Sequence, residues 1–125
     1  VSGVIHRAND VGDDWPDILA ELTRAFEVAR EAAIEERSFV FVVRQDDLLG
    51  RRGAGDAMVA TGLLSAARTA ALEGSRKGWN ANVLAIDAEA DPAVVNEWAH
   101  HLLNHGGVTG ELVRIGPGHL GKAVP

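Results

Sequence analysis

The apolar positions of this chain alternate between short continuous runs and stripes at helical spacing, and each switch marks an element. Val4 and Ile5 form a short run that stops at His6, and Asn9, Asp10 and Gly12 supply turn chemistry directly after it. A first strand is expected there. From about Trp15 to Arg37 the residues Ile18, Leu22, Ala25, Phe26, Ala29 and Ala33 recur at helical spacing. Pro16 stands in the first turn, where its missing N–H costs nothing. Ser38 to Val43, "SFVFVV", is a continuous β-branched and aromatic run, as in a strand buried on both faces of a parallel sheet. Asp56 to about Arg76 is dense in alanine and leucine, which predicts a second helix ending near Gly74 or Gly78. Asn82 to Asp87 repeats the buried-strand pattern. Asp91 as N-cap, Pro92 in the first turn and a stripe of Val94, Val95, Trp98, Leu102 and Leu103 then predict a third helix closed by Gly106. Glu111 to Ile115 reads as a fourth strand, and the tail "GPGHLGKAVP" as irregular.

The order βαβαβαβ with right-handed crossovers implies an α/β, three-layer, half-Rossmann-like domain, with four mainly parallel strands and helices on both faces. At 125 residues, 46% of them hydrophobic, the whole span 1–125 reads as a single domain. The formal net charge of −6 repels phosphate backbones and anionic lipid heads, which argues against nucleic acid and membrane partners. No apolar run approaches the ~20 residues of a membrane span. The first residues show neither region of a signal peptide, so a cytoplasmic location is expected. The absence of cysteine removes disulfides, thiolate nucleophiles and zinc–thiolate sites. The chain opens on Val rather than Met, which leaves trimming, processing, an alternative start codon or a longer parent open.

Two motifs invite chemistry. Gly50, Gly53 and Gly55 lie between a buried strand and a helix, and Asp87 ends the next strand, where a dinucleotide fold places an acid on ribose. The spacing is GxxGxG rather than GxGxxG, and it begins well after the strand. What remains is a possible ligand loop of Arg51, Arg52, Gly53 and Gly55. On the third helix Glu97, His101 and His105 share one face, yet HExxH is absent and such a row is ordinary on a solvated face, so no metal site is expected.

The segments "GVIHRAND", "LTRAF", "SFVFVV", "GWNANVLAI" and "GGVTGELVRIGPG", in this order, resemble the C-terminal half of the short-chain dehydrogenase/reductases. "RKGWNANVLA" is similar to that family's "RGIRVNAVAP", and "GVTGELVRIGPG" to its "VTGQVLRVDGG". The resemblance implies a catalytic Tyr and Lys, four residues apart, on the second helix. Here those positions hold Asp56 and Ala60, and the chain has no Tyr. The family's Ser position falls at Val43 and Arg44, its helix Asn at Glu21, and its "NNAG" turn at His6, Arg7, Ala8 and Asn9. A general acid needs a hydroxyl of tuned pKa within reach of the substrate oxygen. Glu21, Arg44, Asp56 and Ala60 do not form that set, so no catalytic residues are expected. The family's cofactor half would precede this span, so no cofactor is expected. The alternative is NAD or NADP, bound weakly or supplied through a partner.

In the family the two helices matching Trp15–Arg37 and Asp56–Arg76 pack on their copies. The second helix here is apolar around much of its circumference. A homodimer or homotetramer is therefore expected through Leu22, Phe26, Ala29, Met58, Leu63, Ala67 and Ala70. The first strand, as an exposed edge, could also receive a full-length dehydrogenase. These expectations amount to a non-catalytic short-chain dehydrogenase-like scaffold, regulator or inactive subunit. One alternative is a fragment or subunit of a 3-oxoacyl-reductase-like oxidoreductase whose cofactor half lies on another segment or chain. Another is a small-ligand module built on the Gly/Arg loop.

Overall fold

The structure, a computed structural model, describes residues 3–117; most of the tail expected to be irregular lies outside the described residues. Four strands, β1 (Val4–Arg7), β2 (Phe39–Arg44), β3 (Ala81–Ile86) and β4 (Leu112–Ile115), form one sheet in the order β1-β2-β3-β4, with every pair parallel. The helices are α1 (Trp15–Glu35), α2 (Gln45–Leu48), α3 (Ala54–Lys77) and α4 (Pro92–Asn104).

Strand alternation divides the core. Phe39, Phe41 and Val43 on β2, with Ala81, Val83 and Ala85 on β3, face α1 and α3. Val40, Val42 and Leu84 face α4, meeting Val95, Ala99 and Leu102. Every apolar residue of Phe39–Val43 is buried, as the unbroken run implied. The result is the three-layer α/β arrangement with helices on both faces.

Local chemistry sets the helix ends. Asp14 caps α1 by accepting the Asp17 N–H, and Asp91 caps α4 by accepting the Ala93 N–H at 2.9 Å. Gly78, at φ 86°, ends α3 in the left-handed conformation. Gly74, four residues earlier, is pressed on Trp79: an added Cβ would lie 2.6 Å from the ring atom Cε3.

The structure departs from the expected elements in four places. β1 continues through His6 to Arg7, because the imidazole is buried against a partner instead of ending the strand in solvent. A single helical turn, α2, follows β2 directly, where only loop was expected. α3 begins at Ala54, two residues ahead of the expected Asp56. Leu63 and Ala67, assigned to an intersubunit face, are each 1% exposed and point onto the chain's own sheet.

Candidate functional site

The carboxyl ends of β1, β2 and β3 bring three arginines and five aspartates to one end of the sheet. Arg7 ends β1 and Arg44 ends β2, while Asp87 follows β3. Arg44 Nη2 donates to Asp10 Oδ2 at 3.1 Å, and Arg52 Nη1 donates to Asp10 Oδ1 at 3.2 Å. Arg52 also pairs with Asp47 Oδ1 at 3.5 Å and with Asp56 Oδ2 at 3.6 Å. The second oxygen of Asp56 accepts the Val11 N–H at 2.8 Å. One guanidinium thus sits among three carboxylates from three segments.

These surroundings move two acids in opposite directions. Burial pushes the Asp47 carboxyl above its usual range, with Asp56 and Asp10 adding to the rise and Arg52 and Arg44 opposing it. For Asp10 burial also acts upward, but the hydrogen bonds and charges of Arg52 and Arg44 together hold it below the usual range. Oxygens of Asp10, Asp47 and Asp56 lie within 4.8 Å of one another, a grouping with metal-ligand chemistry that sequence spacing did not reveal. Arg52 already reaches all three.

The positions implied by resemblance fall into separate structural roles. Glu21, 2% exposed, binds His6 Nε2 through Oε2 at 2.8 Å and accepts from Arg24 Nη1 through Oε1 at 2.8 Å. His6 also stands edge-on to Phe41. Asp56 is a buried acceptor, Ala60 belongs to the core under α3, and Arg44 is half-exposed on Asp10. Arg44 and Asp56 share the cluster around Arg52; Glu21 belongs to the other, with His6.

In the Gly/Arg loop, Arg51 pairs with Asp46 at 3.3 Å and Arg52 with its three aspartates. Gly53, at φ 135°, is the N-cap of α3. Gly55 rests directly on the Gly12 carbonyl, where a Cβ would overlap it, and its N–H faces Asp13 Oδ1. Both guanidinium groups of this turn and the Gly55 N–H are thus turned to carboxylates. On α4 the rings of His101 and His105 stack at 4.0 Å, with Trp98 edge-on to His101.

Two concavities flank this framework. The first, about 410 Å³, lies between α4 and β1–β2; Ile5, Val42, Ile86, Val95 and Ala99 line its floor, and Arg7, Arg44, Arg52, Asp46 and Asp87 its rim. The second, about 720 Å³, is an open apolar groove between α1 and α3, lined by Leu22, Phe26, Ala29, Ala33, Ile34, Gly62, Leu63, Ala66 and Ala70. Of the residues expected at an intersubunit face, Leu22, Phe26, Ala29 and Ala70 line it. Leu63 forms part of its floor. Met58, 48% exposed, is also on α3.

No family model and no curated protein matches this sequence. Solved structures do. A short-chain dehydrogenase from Mycobacterium smegmatis superposes with a TM-score of 0.69 at 19% identity, over 94% of this chain and 59% of its own. The 3-hydroxyacyl-CoA dehydrogenase type-2 from Mycobacterium avium gives 0.62 at 17%, over 78% and 55%. ElxO, solved with NADP bound, gives 0.67 at 11%, over 89% and 64%. The chain spans less than two thirds of the length of each, and likeness at these identities is a likeness of fold.

Proposed function

We propose that this chain, which carries the short-chain dehydrogenase/reductase fold, is a non-catalytic protein that works by pairing with a second copy of itself through α1 and α3. The observation carrying this reading is the open apolar groove between those helices. Trp15, Leu19, Phe26 and Ile34 on α1 and Met58 on α3 are 45–66% exposed, and all five lie on these two helices. At roughly 100 Å² of exposed surface each, they offer about 500 Å² of apolar area per copy. A stable interface takes about 800 Å² from each partner. Ala29, Ala33, Gly62, Ala66 and Ala70 keep the groove shallow enough for a symmetry-related helix pair to approach closely.

The engagement of Asp56 by Val11 and Arg52, and of Glu21 by His6 and Arg24, supports the non-catalytic part of the reading. Those carboxylates are committed to the fold. A second reading, a subunit completed by another segment or chain that carries the cofactor half, draws support from β1, which pairs with β2 alone among the described residues.

Sedimentation equilibrium across 1–200 µM protein, on the order of common interface affinities, tests the association. A concentration-dependent dimer is expected, and a strict monomer throughout defeats the reading. Ketone-dependent oxidation of NADPH by the purified chain alone would defeat the non-catalytic part.

A further inference from the structure

We propose that His101 and His105, at the carboxyl end of α4, chelate a divalent transition-metal ion of the zinc or copper type. By spacing alone the pair is an ordinary row on a solvated helix, and the structure adds three features to it. The two rings lie side by side, their centres 4.0 Å apart and their planes 34° from parallel, and Trp98 stands edge-on to His101 at 5.2 Å. Both imidazoles are exposed, and neither makes a hydrogen bond or ion pair among the described residues. The backbone between them keeps helical spacing although His105 lies just past the last helical residue. Its N–H donates to the His101 carbonyl at 3.1 Å, and its own carbonyl accepts from Asn80 Nδ2 at 3.0 Å.

The class of ion follows from the donors. Neutral imidazole nitrogen suits zinc, copper and nickel, whereas magnesium and calcium take oxygen ligands. A tetrahedral zinc ion with bonds of about 2.1 Å sets two ring nitrogens roughly 3.4 Å apart, a spacing that rings 4.0 Å from centre to centre reach by turning about χ2. The end of the helix also favours a cation: the last carbonyls of a helix lack helical partners, and their partial negative charge gathers at the turn that carries both rings. Glu97, one turn earlier, does not come within the same reach. The one group of three ligand side chains among the described residues is Asp10, Asp47 and Asp56, where Arg52 already pairs with the acids. Two protein ligands therefore hold the ion at α4, and water completes its shell.

The test is calorimetric titration of the untagged full chain with ZnCl2 and with MgCl2, alongside amide spectra recorded with substoichiometric CuCl2. One Zn2+ is expected to bind per chain with a dissociation constant below ~100 µM, and Mg2+ is expected not to compete. His101→Gln and His105→Gln should each weaken Zn2+ at least tenfold, while His100→Gln and His119→Gln leave it within twofold. Because both rings are exposed, the two ligand variants should melt like the parent without metal, and Zn2+ should raise the melting temperature of the parent alone. Paramagnetic Cu2+ should broaden the amide signals from Trp98 to Gly107, and that of Asn80, ahead of all others. Zn2+ binding that survives the loss of either ligand histidine would overturn the proposal. So would broadening that begins at Asp10, Asp47 and Asp56, equal affinity for Mg2+, or no Zn2+ binding at millimolar concentration. The α4 helix lies across the sheet from α1 and α3, so association through those helices is decided independently.

Discussion

Replacing Phe26 with serine removes an exposed ring that lines the α1–α3 groove. The side chain is 64% exposed in the single chain. A buried phenylalanine covers roughly 200 Å², so about 130 Å² of this ring is available to a partner. At about 25 cal/mol per Å² that is ~3 kcal/mol per copy, and a two-fold axis places the loss in both copies. Incomplete coverage and association costs reduce the observable effect, and ~3 kcal/mol for the pair is a conservative expectation. The dimer dissociation constant should then rise roughly hundredfold. About 70 Å² of the side chain is already covered in the monomer, so the unfolding free energy of the monomer should fall by no more than about 2 kcal/mol. Sedimentation equilibrium measures the first quantity and urea unfolding at low protein concentration the second. Leu63→Ala supplies the contrast. That residue is 1% exposed, so it should cost about 2–5 kcal/mol of fold stability. A dissociation constant unchanged within threefold by Phe26→Ser would refute the reasoning.

Three further expectations follow from the same geometry. Asp47→Asn tests the raised carboxyl: stability linked to its proton is present below the usual carboxylate range and is lost as pH rises through the raised pKa. The parent should therefore lose stability relative to this variant between acid and neutral pH in paired urea titrations, and a difference that stays flat or runs the other way contradicts the assignment. Gly55→Ala places a methyl group on the Gly12 carbonyl, backbone against backbone, and should lower stability by at least ~2 kcal/mol in thermal melts; a neutral effect would mean that the α3 entry is loosely packed. Installing Tyr at Asp56 together with Lys at Ala60 should destabilise the chain by several kcal/mol without producing ketone reduction, since both positions are buried and Asp56 holds the Val11 N–H. Circular dichroism melts and NADPH oxidation read the two halves of that expectation.

Much of the scaffold was legible because its signals are local. "SFVFVV" can be satisfied only by burial on both faces, and Asp91 with Pro92 marks a helix start whatever the rest of the chain does. The α2 turn escaped because four residues are too few to display a period. His6 read as a strand end, since the carboxylate that permits its burial lies 15 residues away on α1. The side of α3 that meets the sheet was not legible: leucine and alanine surround the helix, and tertiary packing turned Leu63 and Ala67 inward while leaving Met58 out. Arg52 among Asp10, Asp47 and Asp56 was equally hidden, because loops join those residues in space and no spacing along the chain relates them.

Among the described residues the sheet is bordered by two short strands, β1 and β4, of four residues each, and each carries an exposed arginine, Arg7 and Arg114. Charge at such brief borders discourages the open-ended stacking that leads to fibrils and inclusion bodies. Neutralising both arginines should therefore show itself first in the yield of recoverable material during expression, ahead of any change in shape.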